Sequence, residues 1–163
     1  MKAAVARVVE ALRAAGVSAN ITEFAESTRT ADEAARAVGA SVGQIVKSLV
    51  FVAGERPILA LVSGANRADV AKLAALAGAP IRQADAATVR AATGYAIGGV
   101  PPLGHATTLP TYLDADLRQY MHVWAAAGTP NAVFPLTPAE LERITSARVV
   151  DLAVRADGQA RYR

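Results

Sequence analysis

Ile45-Val46-Lys47-Ser48-Leu49-Val50-Phe51-Val52-Ala53 runs into Gly54-Glu55-Arg56-Pro57 and then into Ile58-Leu59-Ala60-Leu61-Val62. The first nine residues are mostly β-branched or bulky and apolar, as suits a buried strand. The Gly-Pro stretch is a turn, and Ile58 to Val62 returns as the partner strand. This central hairpin sets the fold class, because helical patterns flank it on both sides.

Upstream, Val5, Val8, Val9 and Leu12 recur at helical spacing and Gly16 follows as a stop, which predicts a helix over 3–15. Residues 19–24 read as a short strand. Thr30-Ala31-Asp32-Glu33 has the capping-box pattern, and the helix it opens ends near Gly39. Downstream, Ala68 or Asp69 opens a helix closed by Gly78-Ala79-Pro80, and 85–93 is a further short helix. Tyr120 to Ala127 reads as a strand with the sole tryptophan, Trp124, and Asn131 to Leu136 as its partner. Thr137-Pro138-Ala139-Glu140 starts a last helix: a Thr cap, Pro at the first helical position, Glu three residues after the cap. The expectation is an α+β fold with a mixed sheet. Residues 1–154 form one domain, and 155–163 are expected to be a flexible basic tail.

The chain has 163 residues, 53% hydrophobic and 19% charged, enough to bury a core without staples. It has no cysteine, which excludes disulfides, thiolate metal sites and cysteine nucleophiles. Arg7 and Glu10 interrupt the N-terminal segment too early for a signal-peptide core. No uncharged apolar run approaches the ~18 residues of a membrane span. A cytoplasmic protein without a membrane partner is expected. The net charge is +3, but residues 1–154 hold fourteen basic against thirteen acidic side chains, and the tail carries the remainder. A nearly neutral body lacks the basic stripe of a strong nucleic-acid binder, so no sequence-specific DNA binding is expected.

Lys47 is one of only three lysines, and it lies within an apolar strand. Alternation puts it on one face with Ile45, Leu49 and Phe51, and Val46, Ser48, Val50 and Val52 on the other. A buried ammonium is costly unless compensated. Two readings are open: the chain snorkels from the strand end to water, or it lines a pocket and meets a phosphate or carbonyl. The second feature is Gly94-Tyr95-Ala96-Ile97-Gly98-Gly99-Val100-Pro101-Pro102-Leu103-Gly104. Four glycines and two prolines make a stiff, turn-rich loop that is either a tight connection or a cradle aiming backbone N–H groups at a developing oxyanion. No Gly-Lys-Ser/Thr follows, so it is not a Walker loop. His105 directly follows the loop and is the better site candidate of the two histidines. His122 reads as a satisfied strand histidine. Asp114 and Asp116 read as helix-start caps. No metal-ligand spacing and no Gly-x-Ser-x-Gly elbow is present. An enzyme of this sequence works without a side-chain nucleophile.

The lysine strand and the glycine-proline loop together resemble the YbaK/EbsC family, the prolyl-tRNA synthetase-associated editing domains. The likeness covers roughly residues 5–152. It includes Thr30-Ala31-Asp32-Glu33-Ala34-Ala35, Gln44 to Phe51, Leu61-Val62-Ser63-Gly64, Thr93 to Gly104, Leu113-Asp114, and Val123-Trp124-Ala125-Ala126-Ala127-Gly128. The resemblance implies a curved, barrel-like mixed sheet surrounded by helices. It also implies a deacylase that needs no cofactor and hydrolyses the ester at the 3′ end of a mischarged aminoacyl-tRNA, with tRNA for proline the favoured carrier and prolyl-tRNA synthetase a partner. The family's strand lysine falls on Lys47, and its Gly-x-x-x-Pro loop on Gly98 to Pro102. The implied catalytic set is Lys47, Gly98, Gly99 and Val100. The implied substrate-binding set is Ser48, Phe51, Pro101, Pro102, His105 and Asp114. Where many relatives have Ser or Thr before the last proline this chain has Pro101, and Asn131 stands where some members have a late histidine. A catalytically inactive module that holds tRNA or a nucleotide is the alternative reading.

Overall fold

The computed structural model describes residues 2–28 and 30–155. The central hairpin is present as β2 (Val46–Ala53) and β3 (Arg56–Ser63), paired antiparallel from Val46↔Ser63 to Ala53↔Arg56. Around it, in chain order, stand α1 (Ala3–Ala14), β1 (Thr22–Glu23) and α2 (Ala31–Val38) before the hairpin. After it come α3 (Val70–Ala77), β4 (Ile81–Gln83), α4 (Ala86–Thr93), β5 (Thr111–Asp114), β6 (Val123–Ala126), β7 (Ala132–Leu136), α5 (Pro138–Thr145) and β8 (Arg148–Val150). Short 3-10 helices occupy Val42–Gln44 and Ala115–Gln119.

The helix ends follow from local chemistry. Thr30, Asp69, Asp85 and Thr137 each accept the backbone N–H three residues on, satisfying a donor that the first helical turn leaves unpaired. Gly39, Gly78 and Gly94 stop α2, α3 and α4 in the left-handed region.

The sheet is mixed, as expected: β3 pairs with β5 and β5 with β8 in parallel, the rest antiparallel. It does not close into a barrel. Five strands run in the order β4-β2-β3-β5-β8, and three more in the order β1-β7-β6. The two sheets meet at one isolated bridge, Ile45↔Trp124. β4 pairs only with residues 51–53 of β2, so the edge of β2 from Val46 to Val50 carries no partner strand there.

Strand alternation divides the interior in two. Val46 and Val50 of β2, with Leu59 and Leu61 of β3, join the α1 stripe (Val5, Val8, Val9, Leu12), Leu113, Phe134 and Leu141 in the main core. Phe51, Ile58, Ala60 and Val62 pack on the opposite face with Leu73 of α3 and Leu152. A third, small cluster joins Ala34, Ala35 and Ile45, with Trp124 against it.

Three sequence expectations need correction. The strand expected over Tyr120 to Ala127 is confined to Val123–Ala126, because Tyr120 ends the preceding 3-10 helix. His122 therefore lies outside the strand and is exposed, its carbonyl accepting from Gln44 Nε2 at 3.0 Å. Arg155, placed in the tail, is tied into the fold by ion pairs of 2.9 Å to Asp116 and 2.9 Å to Asp151. Residues 156–163, the rest of the expected tail, lie outside the described residues. No helix of the described residues is long and apolar enough to cross a membrane.

Candidate functional site

A cavity of about 420 Å³ lies between the open edge of β2 and the small sheet. Residues 46–51 of β2 line one side, and Trp124, Ala126, Ala132 and Val133 of the small sheet line another. Val89 of α4, Ile97, Gly98 and Val100 of the glycine-proline loop, and Thr129-Pro130 close it further, while Thr30, Ala31 and Ala34 bring in the start of α2. The lining is mostly apolar with a few polar groups, the usual make-up of a small-ligand site. Its lining comes from β2 of the five-stranded sheet and from β6 and β7 of the three-stranded one.

Lys47 lines this cavity. Its ammonium donates to the backbone carbonyl of Asn66, in the connection between β3 and α3. That acceptor is neutral, and the compensating negative charge comes from the Asp114 carboxylate. Half-burial pushes the Lys47 pKa down, as does the nearby Arg67, while the carboxylate of Asp114 acts in the opposite direction.

Ser48 stands on the other face of the strand, with Val46 and Val50. Its hydroxyl is buried and has no hydrogen-bond partner among the described residues. Buried hydroxyls are normally bonded, and leaving one unpaired costs about 1–3 kcal/mol. The alternation argument that set Ser48 apart from Lys47 therefore describes the strand correctly. Both faces of the strand contribute to the cavity lining, Val46, Ser48 and Val50 from one and Lys47, Leu49 and Phe51 from the other.

The glycine-proline loop packs down tightly. Gly98 has φ 90 and lies against Pro130, and a Cβ at Gly99 would come within 2.8 Å of the Gly128 carbonyl oxygen. The Gly99 N–H is committed to Ala96 O at 3.0 Å. The N–H groups of Gly98 and Val100 have no acceptor among the described residues. Tyr95 anchors the near end: its hydroxyl donates to Gly104 O at 3.2 Å, and the Arg7 guanidinium lies 4.7 Å from its ring centroid.

The structure gathers Lys47, Ser48, Gly98 and Val100 at the cavity and sets the other sequence candidates around it. Phe51 borders the cavity, but its side chain belongs to the second core cluster. Gly99, Pro101 and Pro102 are buried and absent from the wall. His105 is also outside; its Nε2 lies 2.6 Å from Pro101 O and so pins the far end of the loop. Burial pushes the His105 pKa down, and the Pro101 carbonyl partly offsets this. Asp114 is fully buried, and its oxygens are spent on protein donors: Ser63 N at 3.0 Å, Asn66 Nδ2 at 2.9 Å and, as a cap, Asp116 N at 2.9 Å. Asn131 holds Phe24 O at 3.0 Å and Thr129 at 2.9 Å, bracing the turn beside the cavity without lining it. The far wall escaped the sequence reading, because small residues such as Ala126 and Ala132 signal nothing on their own.

The family model described as the aminoacyl-tRNA editing domain matches residues 25–144. Among curated proteins, YwhH of Bacillus subtilis is 35% identical over 131 residues, covering 80% of this chain and 83% of its own length. EbsC of Enterococcus faecalis, a candidate Cys-tRNA(Pro)/Cys-tRNA(Cys) deacylase, is 29% identical over 137 residues, covering 82% of this chain and 84% of its own. A solved structure of a candidate trans-editing enzyme for prolyl tRNA synthetase is 54% identical and superposes with a TM-score of 0.91, covering 95% of this chain and 99% of that one. The family match spans the strand that carries Lys47, the loop that roofs the cavity and strands β6 and β7 of the sheet opposite, and the chain belongs to the aminoacyl-tRNA editing domain family.

Proposed function

We propose that this protein is a trans-editing deacylase that hydrolyses the ester of a mischarged tRNA, with tRNA for proline as the favoured carrier. The observation that carries the reading is the cavity itself. It combines an apolar wall, a half-buried lysine and, with no partner among the described residues, the Ser48 hydroxyl and two backbone N–H groups of the loop above it.

The chemistry asks little of side chains. The ester is already activated, so no covalent nucleophile is required. Water adds to the carbonyl carbon, the carbonyl oxygen takes up negative charge, and the tetrahedral intermediate expels the ribose oxygen, which leaves with a proton. The substrate's own neighbouring ribose hydroxyl is suited to orient the water. Gly98 and Val100 N–H supply fixed dipoles for the oxyanion, and fixed donors need no reorganisation during the reaction. Lys47 attracts the phosphate of the terminal nucleotide or the developing charge. The apolar wall limits the size of the amino acid, in the manner of a second sieve, and Ser48 offers its side chain a polar contact. Prolyl-tRNA synthetase, named with the similar solved structure, is the natural source of the mischarged substrate.

The test is a panel of mischarged tRNAs offered to the wild type and to Lys47→Ala. Release of the amino acid from one member, lost in a Lys47→Ala protein that still folds, is the expected result. Equal deacylation by both would remove Lys47 from the mechanism. Binding of tRNA without hydrolysis by either would establish the non-catalytic binding module instead.

A further inference from the structure

Lys47 does not rest on its own strand alone. Its ammonium sits on the carbonyl of Asn66, and Asn66 is itself clamped. The two N–H groups on Asn66 Nδ2 go to two different carboxylates, Asp114 Oδ2 at 2.9 Å and Asp116 Oδ2 at 2.8 Å. Two buried carboxylates so close repel each other unless donors lie between or beside them. Asn66 supplies one set of donors and Arg155 the other. Arg155 NH1 reaches Asp116 Oδ2 at 2.9 Å, NH2 reaches Asp151 Oδ1 at 2.9 Å, and the side chain is only 11% exposed. Lys72 of α3 closes the network on Asp151 at 3.1 Å. The backbone follows the same path: Asp69 N donates to Leu152 O at 2.7 Å and Val154 N to Arg67 O at 2.9 Å, so the segment 151–155 runs beside the connection that holds Asn66.

We infer that Asn66 and Arg155 are positioning residues for Lys47: the C-terminal segment locks the Asp114–Asp116 pair, the pair locks the Asn66 amide, and the Asn66 carbonyl fixes the lysine at the cavity. Neither residue lines the cavity, and neither belongs to the motif that carries the lysine. The inference rests on the proposed role of Lys47, and its test separates the two.

The chain has three lysines, Lys2, Lys47 and Lys72, so 13C labelling at lysine Cε gives three signals that single substitutions assign. The full-length wild type is compared with Lys47→Ala, Asn66→Ala, Arg155→Met and Arg155→Lys. Asn66→Ala keeps the backbone carbonyl and removes only the clamp. In Asn66→Ala and Arg155→Met the Lys47 signal shifts and its titration moves towards that of an ordinary lysine. The deacylation kcat/KM falls about tenfold, the scale of one lost hydrogen bond in a buried network, and Arg155→Lys recovers part of both. An unmoved Lys47 signal and titration in a folded Asn66→Ala protein overturns the inference, even if Lys47→Ala is inactive. Full activity in Lys47→Ala removes Lys47 from the mechanism instead, while the signals still report whether Asn66 and Arg155 place the lysine. Should Arg155→Met unfold, because two buried carboxylates lose the guanidinium between them, Asn66→Ala decides alone.

Discussion

Lys47 and Ser48 are neighbours in sequence and opposites in structure. A strand turns successive side chains to opposite faces, so the two reach the cavity by different routes. Ser48 looks onto it from the wall. Lys47 reaches it from the strand edge, with its ammonium carried by Asn66. Both singular features were open to a sequence reader: a lysine in an apolar strand, and a hydroxyl one step along it. What their environment does to them was not. Ser48→Ala removes a buried hydroxyl with no partner, so the variant should be more stable by about 1 kcal/mol in urea denaturation. The same change should lower kcat/KM on the preferred aminoacyl-tRNA, since the proposed function gives that hydroxyl the polar contact with the substrate. A loss of both stability and activity would show that Ser48 is bonded within the protein. Lys47 carries a second expectation. Half-burial favours its neutral form, so the cation is lost on raising the pH through a value below that of an ordinary lysine. Deacylation corrected for spontaneous ester hydrolysis should fall on that alkaline limb, and Lys47→Arg should move the fall to higher pH.

The glycine-proline loop shows how an element can be read in outline and missed in detail. Its composition marks it as stiff and closely packed, and the structure bears this out at both ends, through Tyr95 on Gly104 and His105 on Pro101. Which of its N–H groups are available depends on hydrogen bonds that composition does not specify. Gly99 spends its N–H on Ala96, and Gly98 and Val100 do not spend theirs within the described residues. Gly99 serves by its missing side chain, which lets the loop lie on the Gly128–Thr129 backbone. Gly99→Ala places a methyl group 2.8 Å from a carbonyl oxygen and at the same distance from Thr129 Cα, where only backbone can give way. The loop should lift from the turn, at a cost of about 1–3 kcal/mol, as for other overpacked sites. A thermal melt reads the stability. Activity should fall further than stability does, because the Gly98 and Val100 donors move with the loop.

At the scale of the molecule, two sheets are held apart by the cavity between them and together by a shared core. The main cluster takes side chains from α1, both sheets and α5, so the two walls of the site are fixed by the same packing that stabilises the protein. A global consequence lies in the pH dependence of stability. Burial lowers the His105 pKa in the folded chain, so the unfolded chain binds the proton more readily. The His105 contribution is complete above the ordinary histidine value near 6.5 and is lost as the pH falls below it. Denaturant midpoints should therefore drop on acidification through that range. His105→Gln, which keeps a donor for the Pro101 carbonyl but cannot take a proton, should flatten the drop.

Local chemistry determined much of this protein from the sequence alone. The caps at Thr30, Asp69, Asp85 and Thr137, the glycine stops and the central hairpin all depend on interactions within a few residues, and such interactions are visible in a linear chain. The lysine strand and the loop, both singled out in the sequence, line one cavity. The mixed sheet with surrounding helices was legible as well, while tertiary structure decided that the strands divide into two sheets, with β4 pairing only with residues 51–53 of β2. It decided which candidates face the cavity, since that depends on what packs against each strand face. It also turned Asp114 from a candidate substrate-binding residue into a buried strut, and Arg155 from part of a tail into the counter-charge of Asp116 and Asp151. Asn66, Asp114, Asp116 and Arg155 are up to 89 positions apart, and no periodicity links them. Only the folded chain can bring two carboxylates together and supply the donors that make their burial tolerable.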